Sequence, residues 1–389
     1  MTHMNVFRTM IAGVIACGLT HQAAGQECAY VGNQLIGTVR ILSLPDGAEM
    51  GTVTLPDCSL GICQLTELVV NSDSSTAYVS QFDGSRIWIV DTSFATSPEI
   101  LPFDASPTDL VLDPSGSPLY AISLATAELA SIDPDLVRET GRLSLPSQSR
   151  GLALAPDGRT IATTSRDQNA VFFIDTSDGS TVQMGATGQQ PIDVALSPDG
   201  STAYVANEDG TITEIDVATG ATLDTFTVGS LPISISVAPD GNTVYVANRG
   251  DDTVSVIDLT ADQITDIEVG LTPVATALSS DGLLVVANLQ GESLSVIDTR
   301  NGNTVLDPIA AGTSPFALAV APCPGGTTCV GDCNRDGAVA INELITGVNI
   351  SLGSRPISDC PAFDSNDNGQ VAISELIRAV NNSLDGCVA

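Results

Sequence analysis

The chain has no lysine and only two histidines, His3 and His21, both close to the N-terminus. Lysine's absence excludes Schiff-base chemistry. Without histidine further along, the chain offers no imidazole for a Ser-His triad, a copper site or haem ligation. No Cys-x-x-Cys-His segment is present. Aromatic residues make up only 4% of the chain, with a single tryptophan, Trp88. That shortage argues against a stacking platform for sugars. Trp88 lies in the strand-like run Arg86–Asp91 and is expected in the core. No apolar run reaches membrane-spanning length.

Acid is what the chain has in excess. Forty-six Asp and Glu face thirteen cationic side chains, all arginine, for a formal net charge of -33. Such a surface repels nucleic acid and anionic membranes and favours solubility and cation binding. Arg150, Arg166 and Arg249 are expected at turns, in surface ion pairs. An apolar stretch from about Met10 to Leu19 is followed by the small residues Ala23, Ala24 and Gly25. This reads as a secretory signal peptide over residues 1–25, so the protein is expected to be secreted. Val14-Ile15-Ala16-Cys17 offers a rival reading, a lipoprotein anchored through Cys17. Nine cysteines are present, eight of them after Cys17. An even count in an exported chain favours disulfides, and Cys58 and Cys63 are close enough for a local loop.

The chain repeats itself at a period of 41 or 42 residues, with starts at Leu65, Pro107, Ser149, Pro191, Pro232, Pro273 and Pro315. A fixed period in this range marks a solenoid or a propeller. In the repeat that begins at Pro232, four short alternating segments are separated by turns, the first at Pro239-Asp240-Gly241-Asn242. Asp-Gly between alternating segments suits a tight hairpin, because Gly tolerates positive φ. It recurs at Asp157-Gly158, Asp199-Gly200 and Asp281-Gly282. Four strands at this period make one propeller blade. Tyr204-Val-Ala-Asn207 and Tyr245-Val-Ala-Asn248, with the looser Val285-Val-Ala-Asn288, carry a resemblance to bacterial YVTN-type β-propeller repeats over roughly residues 28–322. The resemblance implies a fold and names no chemistry.

The count suggests how the ring closes. Cys28–Asn33 matches the second strand of a blade, while a spare first strand stands at Pro315–Pro322. Pairing the two completes a seventh, mixed blade and removes two open edges. That register brings Cys28 beside Cys323, an expected disulfide, with Cys329 as the alternative partner.

Past residues 323–330, a linker, the pattern changes. Two twelve-residue segments match each other, Asp332–Glu343 and Asp364–Glu375. Each carries oxygen side chains at positions 1, 3, 5 and 12 and Gly at position 6, the pattern of an EF-hand calcium loop. The expected ligands are Asp332, Asn334, Asp336, the Ala338 carbonyl and Glu343 in one loop. In the other they are Asp364, Asn366, Asn368, the Gln370 carbonyl and Glu375. Hard cations need six to eight oxygens, and the closing Glu can supply two. Each loop runs into a segment with helical apolar spacing, 343–352 and 375–384. A calcium loop plus exit helix in duplicate resembles the type I dockerin module, over about residues 331–387. The resemblance implies calcium-dependent folding and docking onto a cohesin-like or cell-surface scaffold. The four remaining cysteines are expected to staple this small module.

The sequence thus predicts a monomeric all-β seven-bladed propeller over residues 26–322 with an α-helical paired calcium-loop domain over 331–389. The function expected is a secreted, non-catalytic interaction scaffold with a protein partner. The alternative is a calcium-assisted, lactonase-like hydrolase in the propeller channel.

Overall fold

The computed structural model describes residues 26–58, 63–103, 106–324 and 341–352, with residues 354, 360, 371 and 376 besides. The chain divides into two compact units, one spanning Gly25–Gly325 and one that includes Gly326–Ala389.

The first unit is a ring of seven antiparallel sheets. All seven repeat starts are the first residue of a strand, from Leu65–Val70 to Pro315–Pro322. These strands are the innermost of their blades, and each neighbours the inner strands of the blades on either side. We number the blades from the one built on Glu27–Asn33. Blade 1 takes its inner strand from Pro315–Pro322, followed by Glu27–Asn33, Thr38–Ser43 and Glu49–Thr54. Blades 2 to 7 begin at Leu65, Pro107, Ser149, Pro191, Pro232 and Pro273. In blade 7 the outer edge is split into Thr304–Val305 and Ile309–Ala310.

Each second strand is apolar on both faces because each blade is sandwiched between two others. In blade 5, Ala203 and Val205 pack toward blade 4 with Phe173 and Val171. Tyr204 and Ala206 pack toward blade 6 with Val244 and Val246. Seven such apolar clusters fill the seven seams. Each fully buried Val, Leu or Ile contributes roughly 1.5–3 kcal/mol. Trp88 is a core residue, and its indole N–H donates to Gln81 Oε1 at 2.8 Å.

The repeat signature has a local cause. Asn207 ends the second strand and donates to the hydroxyls of Thr211 and Thr213 on the third. Asn248 and Asn288 do the same with Thr253 and Ser255, and with Ser293 and Ser295. The Asp-Gly hairpins hold as expected, with Gly158, Gly200, Gly241 and Gly282 all at positive φ.

Cys28 and Cys323 form a disulfide across the closure, 295 residues apart in sequence. Cys58 and Cys63 form a second. Both pairings match the sequence expectation, and both accord with an oxidising compartment. Among the described residues no helix is long and apolar enough to cross a membrane.

In the second unit, α1 spans Ile341–Ser351, close to the first exit helix expected over 343–352. Ile350, Cys360 and Val371 are buried, and Cys360 is disulfide-bonded. Glu343 lies within α1. The other nine expected calcium ligands, Asp332, Asn334, Asp336, Ala338, Asp364, Asn366, Asn368, Gln370 and Glu375, lie outside the described residues, as does the expected signal peptide.

Candidate functional site

The candidate site is the channel that the seven inner strands enclose. It forms a cavity of about 340 Å³. That volume is within the range of small-ligand pockets. The second and third residues of the inner strands supply its wall, among them Thr66-Glu67, Thr108-Asp109, Arg150-Gly151 and Ile192-Asp193.

Two adjacent residues can both line the wall because the inner strands are bulged near their start. The pairing shifts register between Pro107 and Asp109, and between Pro191 and Asp193. A bulge of this kind leaves backbone groups unpaired and re-aims side chains. The freed N–H groups find carboxylates. Asp193 Oδ1 accepts from its neighbour Val194 N–H at 2.9 Å. Its Oδ2 accepts from Ile235 N–H of the next blade at 3.0 Å. Asp109 is bound the same way, by Leu110 N–H at 2.7 Å and by the Leu152 N–H of the next blade. Ser234 extends the pattern, accepting from Thr276 N–H of blade 7 at 3.1 Å. Glu67 Oε1 accepts from Leu68 N–H at 2.9 Å.

These three acids are the electrostatic centre of the channel. Burial pushes the Glu67 carboxyl up to about 8, and the Asp193 charge adds to the rise. Burial pushes Asp193 up to about 6, against the opposing hydrogen bonds from Ile235 and Val194. Asp109 is raised by burial first, then by the charges of Glu67 and Asp193.

Gly151 holds the third position in blade 4, where three other blades carry an acid. A Cβ there would meet the Asp193 Cα at 2.7 Å and the Ile192 carbonyl oxygen at 2.8 Å. Blades 4 and 5 therefore approach too closely for any side chain, and the backbone Gly151 N–H donates instead to Thr164 Oγ1 at 2.9 Å.

The mouth of the channel is built by a second repeated device. The residue before five of the seven inner strands adopts a left-handed conformation, at Gln148, Gln190, Leu231, Thr272 and Ser314. Its carbonyl accepts from the residue that follows the second strand of the same blade. Arg166, Glu208, Arg249, Leu289 and Gln34 are all tied in this way. In these five blades the mouth residue is thus held by a backbone hydrogen bond. Arg166 bridges two blades at the mouth, its Nη2 reaching Glu208 Oε1 at 2.5 Å and Gln190 Oε1 at 2.8 Å.

Arg150 differs from its sequence expectation. It lies within an inner strand and lines the channel, and it makes no hydrogen bond or ion pair among the described residues. The repeat register, which starts a strand at Ser149, already places Arg150 in that strand and not at a turn. Arg166 does follow a strand and does form an ion pair. Sequence reasoning named no acid in the channel. The signal was present, since Glu67, Asp109 and Asp193 share the third position after three aligned repeat starts.

A family model for lactonase with a seven-bladed β-propeller matches residues 209–314. No curated protein sequence matches the chain. Among solved structures, a functionally unknown protein from Desulfotomaculum acetoxidans is similar at a TM-score of 0.65 and 18% identity. That match covers 76% of this chain and 99% of that one. Hydrazine synthase from Kuenenia stuttgartiensis is similar at a TM-score of 0.60 and 17% identity, covering 66% of this chain and 89% of that one. At these identities the likeness is one of fold. The matched segment 209–314 ends the ring's second half and contains none of Glu67, Asp109, Arg150 or Asp193.

Proposed function

We propose that the chain is an exported, non-catalytic binding protein. The propeller presents its mouth face to a partner, and the C-terminal module holds two calcium ions and docks to a cohesin-like or cell-surface scaffold protein. One observation carries the reading for the channel. Two of the three channel acids, Asp109 and Asp193, are tied into the wall, each accepting from its own neighbour's N–H and from an N–H of the next blade, Leu152 and Ile235. A general base must be free to reach a substrate proton. The calcium reading of the tail rests on its donor set, which is all oxygen and suits a hard cation at positions 1, 3, 5, 7 and 12 of each loop. Bound calcium would supply the charge around which the two loops fold. Asp332, Asp336, Glu343, Asp364 and Glu375 would furnish the anionic ligands, and the Ala338 and Gln370 carbonyls would complete each loop.

The test is a capture experiment with the full mature chain and with a chain ending at residue 323. Capture of a surface scaffold that needs both the tail and calcium supports the reading. Capture that survives loss of the tail removes docking from it. A second reading, a lactonase-like hydrolase in the channel, draws on the family match over 209–314. Turnover on a panel of lactones, abolished by Glu67→Gln, would establish that reading and overturn the non-catalytic one.

A further inference from the structure

The channel wall carries charges of both signs. Acid occupies the third positions of blades 2, 3 and 5, as Glu67, Asp109 and Asp193. The one cation in the wall, Arg150, stands on blade 4. Arg150 does not serve the acids. Burial lowers its affinity for a proton, the nearby Arg166 charge lowers it further, and Glu208 opposes. The acids in turn act on one another. Donors are left over on the cationic side. The Arg150 guanidinium has no partner among the described residues, and the buried Arg166 Nε has none either. Arg150 lines the cavity, so its unpaired donors are open to an acceptor that enters there.

We propose that the channel binds a small zwitterion, a free amino acid or a short peptide. Its carboxylate pairs with Arg150 and its ammonium lies among the three acids. The proposal is independent of the docking reading above. Arg presents a planar fork that matches a carboxylate in two parallel hydrogen bonds. An ammonium offers three donors to the carboxylates of the wall. A ligand with both charges satisfies each side of the channel, whereas a simple anion leaves the acids crowded. A long polyanion is disfavoured, because it would have to cross a surface whose formal net charge is -33. Charges further apart than about 8 Å are largely screened in physiological salt, so a zwitterion of no net charge meets little such barrier. The cavity of about 340 Å³ admits one to a few residues.

Binding has a proton signature. Burial raises all three acids, and an arriving ammonium favours their charged forms, so occupancy releases protons. The experiment is isothermal titration of the full mature chain with glycine, diglycine and triglycine, in two buffers of different ionisation enthalpy. Saturable binding with buffer-dependent heat is expected for at least one of them, and which length binds best separates amino acid from peptide. N-acetylated triglycine should bind without proton release and at least about tenfold more weakly. C-amidated triglycine should lose a similar factor, and so should triglycine on Arg150→Gln. Because the ligand controls use the unaltered protein, the conclusion survives a variant that fails to fold. No saturable heat up to about 10 mM, or equal affinity for the blocked and free peptides, would overturn the proposal.

Discussion

Glu67→Gln should stabilise the propeller, and by an amount that depends on pH. In the folded state the carboxyl is pushed from 4.5 up to about 8 by burial and by Asp193. A raised carboxyl means that the folded state binds a proton the unfolded state releases. Its stability contribution is therefore complete below about pH 4.5 and is lost as pH rises toward 8. At about 1.36 kcal/mol per unit, an isolated shift of this size would cost roughly 5 kcal/mol at pH 8. Three acids share one repulsion here, and channel water relieves part of it, so about 1–2 kcal/mol is expected to be recovered by the amide. Gln fits without a new conflict, because only one Glu67 oxygen accepts a backbone bond, from Leu68 N–H. Asp193→Asn is the contrasting case. Both Asp193 oxygens accept N–H groups, so the amide nitrogen would face a donor at Val194 or Ile235. The assay is urea unfolding of both variants at pH 5 and pH 8. Glu67→Gln should gain stability at pH 8 and nothing at pH 5, while Asp193→Asn should gain less or lose. Equal effects of Glu67→Gln at the two pH values would refute the reasoning.

Gly151→Ala should destabilise blade 4 against blade 5 by about 2 kcal/mol or more, because the added carbon meets backbone and not a movable side chain. A melting temperature within a degree of the parent would contradict that packing. Cys28→Ser should lower stability by up to roughly 5 kcal/mol in the chain-entropy account, since the disulfide closes a span of 295 residues. Thermal melts should place the variant below the oxidised parent, and an unchanged melting temperature would contradict the account. Gln81→Leu should cost about 1–3 kcal/mol by stranding the buried Trp88 N–H, and should shift the emission of the only tryptophan. For the tail, the first calcium loop offers three acidic side chains and the second two. Glu343→Gln should therefore lose more calcium affinity than Glu375→Gln by calorimetry on the full chain.

The fold was readable because a propeller writes itself seven times. Any one repeat is ambiguous, but a residue that must be Pro, Leu or Ser at the same phase seven times defines the strand start. Phase also revealed the ring's closure. Cys28–Asn33 reads as a second strand with no first strand before it, and its partner is the orphan Pro315–Pro322, paired from Glu27 with Pro322 to Asn33 with Pro315. The disulfide at that seam follows from register alone, since Cys28 pairs with Ala321 and Cys323 lies two residues on.

The channel was less readable for a reason the same repeat supplies. Repetition advertises what the blades have in common, and a binding site is where they differ. Position three of the inner strand is Glu, Asp, Gly, Asp, Ser, Ala and Ala around the ring, so averaging over repeats erases it. Nor does alternation place it correctly. In a regular strand Arg150 and Gly151 would point to opposite faces, and only the bulge near the strand start lets both reach the channel. The bulge is a consequence of crowding seven strands around one axis, a tertiary cause that no local window contains. The informative positions in such a chain are therefore the departures within a phase-aligned column. In the inner-strand columns those departures are Glu67, Asp109, Arg150 and Asp193, the four ionisable side chains that line the channel wall.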